Sequence, residues 1–464
     1  MNQTRRHLFA LATITILILV SAGCSERDPA GLKGARATID PLVFDDDYSP
    51  DVYFQAFLNT HLGAVEMDSV FAYGGYAPDG SRSLKITVPP DGSALGAYAG
   101  GVLTSSGSRD LADFNALTFY ARASENVRLN EAGFGNDNTG TSLYGAGRAE
   151  VILSDDWTFV VVPIPAPSKV ISERGLFMFA EGLEPRYGDG YFIWIDEIKF
   201  ARLDNITNPQ PRMAGGNQQY FVGSTAFLDS VRTEFDIDGA PVTVNHAPAY
   251  FDFESSDPSV AVVTGNEIRI VGVGESMITG TLEGVAVRDT VVVSGHLPPP
   301  AGATPPSLPA ADVVSMFSDV YVDVPVDTWN TYWNYSTAQV EDYVVAGDNT
   351  KMYSTLNFVG IEFMNPPIDA TEMTHFNLDV YAPAGTNFKV KLVAFDDDGG
   401  FAGETQELIF DSTTTPAFNA GDWSHLDIPL EDFELTVPWE NIGQLVLSTD
   451  DAELVLVDNV YWHK

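Results

Sequence analysis

Acidic residues recur near both ends of two similar blocks of the chain, where they could form cation sites. Asp46 lies in an acidic run near the start of the first block, and Asp196 lies in its last strand-like segment. Asp319 and Asp458 occupy the corresponding places in the last block. Carboxylates combined with carbonyl oxygens suit Ca²⁺, so we predict a structural calcium where the first and last strands are neighbours. The alternative is that each Asp pairs with a backbone N–H or faces solvent.

Aromatic residues in polar or Gly-rich segments could stack on the apolar faces of sugar rings. The candidates are Tyr53, Tyr76, Tyr98 and Tyr144 in the first block, and Trp329, Trp333, Tyr335 and Tyr353 in the last. Because the stretch 329–334 mixes Trp and Asn, unlike a core strand, we favour a sugar platform involving Trp329 or Trp333. The alternative for each candidate is a place in the core, which we predict for Trp157, Trp194 and Trp423.

The sequence contains no complete match to a known catalytic motif among those considered. Two carboxylates could hydrolyse a glycoside, but the fragment Glu66-Met67-Asp68-Ser69-Val70-Phe71 lacks the second Glu of the laminarinase signature Glu-x-Asp-x-x-Glu. The His residues form no i, i+4 metal pair, and no Gly-x-Ser-x-Gly elbow occurs. We predict that the protein is not an enzyme. A glycoside hydrolase or polysaccharide lyase remains the alternative.

Length and charge limit the fold and the partners. A chain of 464 residues is too long for one ordinary core and indicates about three or four domains. The formal net charge of −40 argues against nucleic acid as a partner, because phosphate would be repelled. Gly, Thr, Ser, Asp, Tyr and Phe are plentiful, which favours many short strands joined by turns.

The N-terminus has the features of a lipoprotein signal. Arg5 and Arg6 precede the apolar stretch Leu8 to Val20, and small residues lead to Cys24. This resembles the lipobox of bacterial lipoproteins, with Ser21 where that family usually has Leu. The resemblance implies lipidation of Cys24 and anchoring of the mature protein by lipid alone, so we expect it on the outer membrane, exposed at the cell surface.

Strand-like segments and turn signals predict an all-β chain of three β-sandwich domains in tandem. The closing segments Tyr191–Phe200 and Glu453–Trp462 each carry one Asp within an apolar run, which indicates two domains of one kind. The predicted divisions are a signal peptide (1–23), a tether (24–38), a first sandwich (39–203), a linker (204–216), a second sandwich (217–295), a semi-rigid Pro-rich linker (296–309) and a third sandwich (310–464).

Two of these blocks resemble jelly-roll carbohydrate-binding modules of the type attached to bacterial endoglucanases and laminarinases. In the first block the resemblance lies in Asp113–Ala123, Glu131–Asp137, Trp157-Thr158 and the closing segment Tyr191–Phe200. In the last block it lies in Ser315–Tyr321 and Val457–Trp462. The resemblance implies a jelly-roll fold, and related modules often hold calcium between their first and last strands.

The middle block resembles a group-2 bacterial Ig-like domain. The segments Ser255-Ser256-Asp257-Pro258-Ser259-Val260 and Gly272-Val273-Gly274-Glu275-Ser276 carry the resemblance. Such domains are usually spacers or docking modules.

These features together predict a non-catalytic surface lipoprotein that binds a polysaccharide. The resemblance favours a β-glucan such as laminarin, held for a partner hydrolase or a glycan transporter. A structural or adhesive surface protein without a glycan ligand is the remaining alternative.

Overall fold

The structure is a computed structural model that describes residues 38–57, 65–68, 82–94, 96 and 98–464. Almost all of its regular structure is β-strand, which confirms the all-β prediction. The chain groups into two compact units. The first holds the described residues up to Ser142, with Glu150–Val161 and Pro167–Arg202, and the second holds Leu143–Ala149, Val162–Ala166 and Leu203–Lys464.

The N-terminal segment with Cys24 lies outside the described residues, so lipidation stays a prediction. A search of the described ranges finds no helix with the length and apolar character needed to cross a membrane.

The first part of the chain forms antiparallel sheets. Its strands are β1 (Leu42–Asp45), β2 (Asp47–Tyr48), β3 (Val52–Ala56), β4 (Val65–Asp68), β5 (Ser83–Val88), β6 (Tyr98–Arg109), β7 (Ala116–Ala123), β8 (Val127–Phe134), β9 (Ala146–Leu153), β10 (Thr158–Pro163), β11 (Glu173–Gly182) and β12 (Tyr191–Ala201). One sheet has the order β10-β7-β12-β1-β2, with β5 also on β12, and the other includes β8-β11-β6-β3. The closing strand β12 therefore lies beside the first strand β1.

The middle of the chain contributes shorter strands. They are β13 (Ile206–Arg212), β14 (Gly216–Phe221), β15 (Thr225–Phe227), β16 (Val231–Ile237), β17 (Ala240–His246), β18 (Asp252–Ser255), β19 (Ala261–Thr264), β20 (Glu267–Ile270), β21 (Gly274–Leu282), β22 (Val285–Ala286) and β23 (Val291–His296). One sheet has the order β14-β23-β21-β18, with β22 on β21, and a second has the order β15-β20-β19.

The hairpin β16–β17 departs from the sequence prediction, which placed it in the middle sandwich. It pairs with β13 instead of with either of the two sheets just described. Its turn residues Asp238 and Gly239 both have positive φ, 53° and 81°, as a two-residue type I′ turn requires. The hairpin is therefore specified locally, and the sequence pattern does not say which sheet it joins.

The last block has eleven strands. They are β24 (Val313–Phe317), β25 (Gln339–Val345), β26 (Asp348–Ser354), β27 (Phe358–Glu362), β28 (His375–Tyr381), β29 (Asn387–Phe395), β30 (Phe401–Glu404), β31 (Leu408–Asp411), β32 (Ser424–Pro429), β33 (Ile442–Ser448) and β34 (Val455–His463). Short 3-10 turns lie at Pro167–Lys169, Pro185–Tyr187, Pro248–Tyr250, Ala310–Asp312, Leu430–Phe433 and Trp439–Asn441.

Two sheets of the last block enclose its core. One has the order β25-β26-β34-β28-β32, with β24 on β34, and the other has the order β27-β33-β29-β30, with β31 on β29. Alternation decides which side chains point inward: Phe388, Val390 and Leu392 are fully buried, while Lys389 and Lys391 between them are only half-buried. The closing strand β34 is buried along its whole length, including Asp458 and Asn459, which interrupt its apolar run.

Both closing strands carry the same irregularity. Glu197 follows Asp196 and Asn459 follows Asp458, and both followers have a left-handed φ of 48°. The pairing register against β7 and β28 shifts at these points, with the extra residue in the closing strand. Against β1 and β24 the shift comes one residue later, and the extra residue lies in the first strand. Each closing strand therefore contains a β-bulge immediately after its acidic residue, which changes the direction of the side chains there.

The Pro-rich stretch is extended, but it is not a free spacer. The Trp423 indole Nε1 donates a hydrogen bond to the Ala301 carbonyl oxygen at 2.9 Å, and the Tyr321 hydroxyl donates to the Leu308 carbonyl oxygen at 3.0 Å. Ala303 is only 6% exposed. The stretch lies on the last block because its carbonyl groups accept these hydrogen bonds.

Phe221, at the end of β14, joins the middle block to the last block. Its ring is fully buried among Val345, Met352, Tyr381, Leu454 and Leu456. The ring centroids of Tyr343 and Tyr381 lie 5.5 and 6.1 Å from that of Phe221. The middle block therefore covers one end of the sheet that contains β34.

We predict that Phe221→Ala lowers the free energy of unfolding by about 3–5 kcal/mol, because it leaves a cavity where an aromatic ring was buried. Calorimetry should also show the last block melting separately from the middle block. Phe227→Ala is the matched control, since Phe227 is 58% exposed and its loss should change stability little. Equal effects of the two substitutions would contradict the role given to Phe221.

Candidate functional site

The last block presents two different outer surfaces. We call the outer side of the sheet containing β26, β34, β28 and β32 the covered face, because the middle block and the Pro-rich stretch lie on it. We call the outer side of β27, β33 and β29 the open face. The predicted acidic residues Asp319 and Asp458 lie at the covered face, and the predicted aromatic residue Trp333 lies on the open face.

An aromatic loop, Asp327–Tyr335, borders the open face. The buried amide of Asn330 fixes the loop: its Nδ2 donates to the Ala338 carbonyl oxygen at 2.8 Å, and its Oδ1 accepts from the Tyr332 N–H at 2.8 Å. Tyr332 and Tyr335 adopt left-handed φ values of 50° and 71°. Their side chains are 68% and 91% exposed.

Trp333 is held on the strand β27. A Cβ atom on Gly360 would lie 2.7 Å from the Trp333 ring, so only glycine lets the indole lie this close to the strand. The ring also packs against Phe358, with centroids 6.4 Å apart, yet Trp333 remains 36% exposed. Beside it, the Thr331 hydroxyl is buried without a hydrogen-bond partner. A fixed, accessible aromatic surface therefore lies next to polar groups.

Polar side chains continue from Trp333 across the open face. Glu362 on β27 pairs with Gln444 on β33, whose Nε2 donates to the Glu362 Oε1 at 3.1 Å. On β29, Lys391 lies opposite Val446 of β33 and forms an ion pair of 3.2 Å with Glu404. Glu362 and Lys391 are half-buried and offer carboxylate and ammonium groups that can form hydrogen bonds with hydroxyl groups, whereas the Gln444 side chain is buried.

The other predicted aromatic residues of this block do not form a platform. Tyr353 is fully buried in the core, and its hydroxyl donates to the Trp329 carbonyl oxygen at 3.0 Å, so the prediction that it contacts a sugar is wrong. Trp329 is half-buried, with Phe317 5.6 Å from its ring and the Lys351 Nζ 5.1 Å away. Its ring is already in contact with protein groups, so Trp333 and Tyr335 are the accessible members of the predicted set.

The candidates of the first block are dispersed. Tyr53 on β3 is 38% exposed, and Tyr98 at the start of β6 is half-buried with its ring over Gly100. Tyr144 packs against Tyr250, with ring centroids 5.3 Å apart. Tyr76 lies outside the described residues. Of the residues predicted to be core, Trp194 is buried, whereas Trp157 and Trp423 are only half-buried.

The covered face contains a network of buried polar groups around the bulge of β34. The Asn459 Nδ2 donates to the Asp379 Oδ2 at 2.8 Å and to the Asp458 Oδ2 at 3.3 Å. The Asn377 Nδ2 donates to the Asn459 carbonyl oxygen at 2.8 Å, and the Ser318 hydroxyl donates to the Asn459 Oδ1 at 3.0 Å. The bulge is thus fixed by side-chain hydrogen bonds from both neighbouring strands.

Asp348 joins this network, although sequence reasoning did not identify it. Its carboxyl group lies within hydrogen-bonding reach of Asp458 and beside Asp319. Burial raises the pKa of Asp458 well above its usual range, and the charge of Asp348 raises it further. Burial also raises the pKa of Asp348, and its Oδ2 is buried without a donor. Two adjacent acids with raised pKa values require either a shared proton or a cation.

The predicted partner Asp319 lies beside Asp348, and Asn349 also donates to both of its carboxylate oxygens. Its Oδ1 accepts from the Asn349 Nδ2 at 2.8 Å, and its Oδ2 accepts from the Asn349 backbone N–H at 3.1 Å. Across the described parts of the chain, no group of three or more His, Cys, Asp or Glu side chains is arranged to hold a metal ion. Protein carboxylates would therefore supply only part of a cation shell.

The acids of the first block are placed similarly along the chain. Asp196 is fully buried in β12, and its Oδ1 accepts from the Glu197 N–H at 2.8 Å. Asp46 lies between β1 and β2, where its Oδ1 accepts from the Arg82 N–H at 3.0 Å. Across from Asp196 the neighbouring strand carries Tyr120, whereas across from Asp458 it carries Asp379. A calcium at this first site stays a prediction.

Two Asp–His pairs complete the covered face. The His425 Nδ1 lies 2.7 Å from the Asp379 Oδ1, and the His463 Nε2 lies 2.8 Å from the Asp427 Oδ1. The hydrogen bond to Asp379 raises the pKa of His425. The sequence signal is the spacing of two between His425 and Asp427 in β32, but the order of the strands was needed to bring them to Asp379 of β28 and His463 of β34.

Comparison with known proteins finds only structural similarities, and their scores are low. No protein-family model matches the sequence, and no curated protein matches it. Among solved structures, the family 30 carbohydrate-binding module of the Clostridium thermocellum cellulase Cel9D-Cel44B shows 17% identity over 36% of this chain and 99% of its own, with a TM-score of 0.25.

Two further solved structures are similar at the same level. The family 11 module of the C. thermocellum cellulase Lic26A-Cel5E shows 14% identity over 31% of this chain and 96% of its own, with a TM-score of 0.21. The CBM22-1–CBM22-2 tandem of Paenibacillus barcinonensis Xyn10C shows 13% identity over 93% of this chain and 100% of its own, with a TM-score of 0.22. Scores of this size carry no conclusion about what this chain binds.

We predict that His425 keeps its proton to higher pH than a free histidine, because Asp379 accepts its hydrogen bond. A pKa raised in the folded state means that this pair stabilises the protein fully below about pH 6.5, and that the contribution is lost as pH rises through the folded value. An NMR titration of histidine ring protons should show the pKa of His425 falling in Asp379→Asn and changing less in Asp427→Asn. An unchanged value in Asp379→Asn would contradict the assignment.

Proposed function

We propose that the protein binds a polysaccharide without cleaving it, and that the open face of the last block is the binding surface. The observation that carries the proposal is Trp333, which is fixed over Gly360 and still accessible. An indole presents a flat apolar surface that matches the C–H face of a sugar ring. The neighbouring half-buried Glu362 and Lys391 supply an acceptor and a donor for hydroxyl groups.

The shape of this surface suits a polymer better than a small molecule. The aromatic loop lies at one border, beside the edge of β27, and the polar side chains follow across β33 and β29. Successive sugar units could therefore contact Trp333 and the polar side chains of these strands at the same time. A β-glucan such as laminarin is the polymer we favour, on the sequence resemblance to modules of laminarinases.

The cellular setting forms part of the same proposal. A lipid on Cys24 would hold the protein at the outer membrane, where it would keep a glycan near a surface hydrolase or transporter. The acidic net charge of −40 suits a protein that must remain soluble outside the cytoplasm. Bound lipid should be detected by mass spectrometry of the protein purified from its own membrane.

We also propose that the last block binds Ca²⁺ beside the bulge of β34. The raised pKa values of Asp348 and Asp458 and the unpartnered Asp348 Oδ2 favour a cation there. Asp348 and Asp458 would hold it, with Asp319 close by and the remaining oxygens from backbone and water. The ion would neutralise adjacent buried carboxylates and so stabilise the fold.

We predict that Trp333→Ala weakens binding of soluble laminarin by about tenfold or more, as expected when a central aromatic contact is removed. Affinity gel electrophoresis or calorimetry would measure the change. Phe159→Ala is the matched control, because Phe159 is an exposed aromatic residue (46%) outside the open face. Thermal unfolding should show that both variants fold.

The alternatives give different results. Absence of binding across a broad glycan panel would support the alternative of a structural or adhesive surface protein without a glycan ligand. New reducing ends or unsaturated sugars after incubation with the panel would identify it as a hydrolase or lyase. Binding that survives Trp333→Ala unchanged would exclude the open face as proposed.

We predict that a chelator lowers the melting temperature and that Ca²⁺ restores it, because an ion that binds only the folded state adds about 2.7 kcal/mol at a hundredfold excess over its dissociation constant. Asp458→Asn should remove this sensitivity. Asp342→Asn, at a side chain that is 83% exposed, should leave it intact. If the chelator leaves the melting temperature of the unsubstituted protein unchanged, the calcium proposal is wrong.

A further inference from the structure

A cavity of about 510 Å³ lies on the covered face, between the segment Thr304–Leu308 and the strands β28, β32 and β34. We call Thr304–Leu308 the roof segment. The volume falls within the usual range for pockets that bind small molecules. The cavity shares no residue with the open face, so it is a separate candidate site.

The roof segment is fixed near both of its ends. The hydrogen bond from Trp423 holds the chain at Ala301, and the hydrogen bond from Tyr321 holds it at Leu308. Between these points, Pro305 and Pro306 restrict the backbone to an extended form. The roof segment is therefore held in place as part of the last block. It limits the space in the cavity for a long polymer.

The floor of the cavity, formed by β28, β32 and β34, carries polar side chains that are held in place and keep some hydrogen-bonding capacity free. Both oxygens of Asp379 accept hydrogen bonds, from Asn459 and from His425, which fixes the ring of His425. The His425 side chain is nevertheless 62% exposed. Asp427 uses its Oδ1 for His463 and remains 41% exposed. His425 and Asp427 can therefore form hydrogen bonds with a ligand in the cavity.

The remaining walls combine apolar surface with hydroxyl groups. Trp423 and Tyr461 add aromatic rings to the floor side, and Pro305, Pro306 and Leu308 add apolar surface from the roof. Thr304 and Ser307 bring hydroxyl groups to the same space. A sugar ring has this combination of properties, because its faces are apolar and its edge carries hydroxyl groups.

We infer that this cavity is a second binding site, and that it takes a single neutral sugar residue, free or at the end of a chain. The carboxylate of Asp427 would accept hydrogen bonds from ring hydroxyls, and His425 would bond a neighbouring hydroxyl. The apolar roof and Trp423 would contact the ring faces. The inference does not depend on glycan binding at the open face.

The test uses the full chain and four probes: D-glucose, D-galactose, D-mannose and D-xylose. Saturation-transfer NMR and calorimetry should show saturable binding of at least one. Asp427→Asn, which keeps an acceptor for His463, should weaken that binding by about tenfold or more, because a charged hydrogen bond is lost. His425→Ala, at an exposed side chain, should weaken it as well.

Phe159→Ala, at an exposed aromatic residue outside the last block, is the control, and it should leave the affinity for the monosaccharide unchanged. Failure of all four sugars to bind would overturn the inference, as would binding that neither cavity variant weakens. Loss of monosaccharide binding in Trp333→Ala alone would place that binding on the open face and also overturn it. Failure of laminarin to bind, with monosaccharide binding intact, would refute only the proposed polysaccharide site.

Discussion

The buried carboxyl group of Asp458 is the constraint on which the rest of the last block depends. An ionised carboxylate inside a strand is costly unless a proton, a hydrogen-bond donor or a cation compensates it. The bulge at Asn459 compensates part of this cost. Its backbone N–H donates to the Asp458 Oδ1 at 2.6 Å, and its side-chain amide donates to Asp379. The position of the acid therefore fixes the bulge, and the bulge fixes the neighbouring strands β24 and β28.

The two outer faces of the last block differ as a consequence. On the covered face, Phe221 packs on one end of β34, the acidic network surrounds Asp458 in the middle of the strand, and the Pro-rich stretch covers the sugar-sized cavity at the other end. On the open face, Trp333 is accessible, and the half-buried Glu362 and Lys391 lie on β27 and β29. Because one face is covered, we propose that a polymer binds the other.

Sequence reasoning predicted the parts of this account that depend on local pattern. Alternating strands, the all-β class, and the neighbouring first and last strands β24 and β34 all follow from apolar spacing and from the fold type. It failed where strand order or burial decides which side chains are accessible and which lie close together. Tyr353 and Trp333 look alike in the sequence, yet one is buried and the other accessible. Asp348 and His425 belong to sites only because β26 and β32 are placed in the same sheet as β34.

The most direct test is hydrogen–deuterium exchange of the full chain with and without soluble laminarin. Our account predicts slower exchange in peptides that cover the aromatic loop 327–335 and strand β27, and little change in the middle block. Exchange that laminarin leaves unaltered throughout the chain, or protection confined to the roof segment and β32, would contradict the claim that the open face binds the polymer.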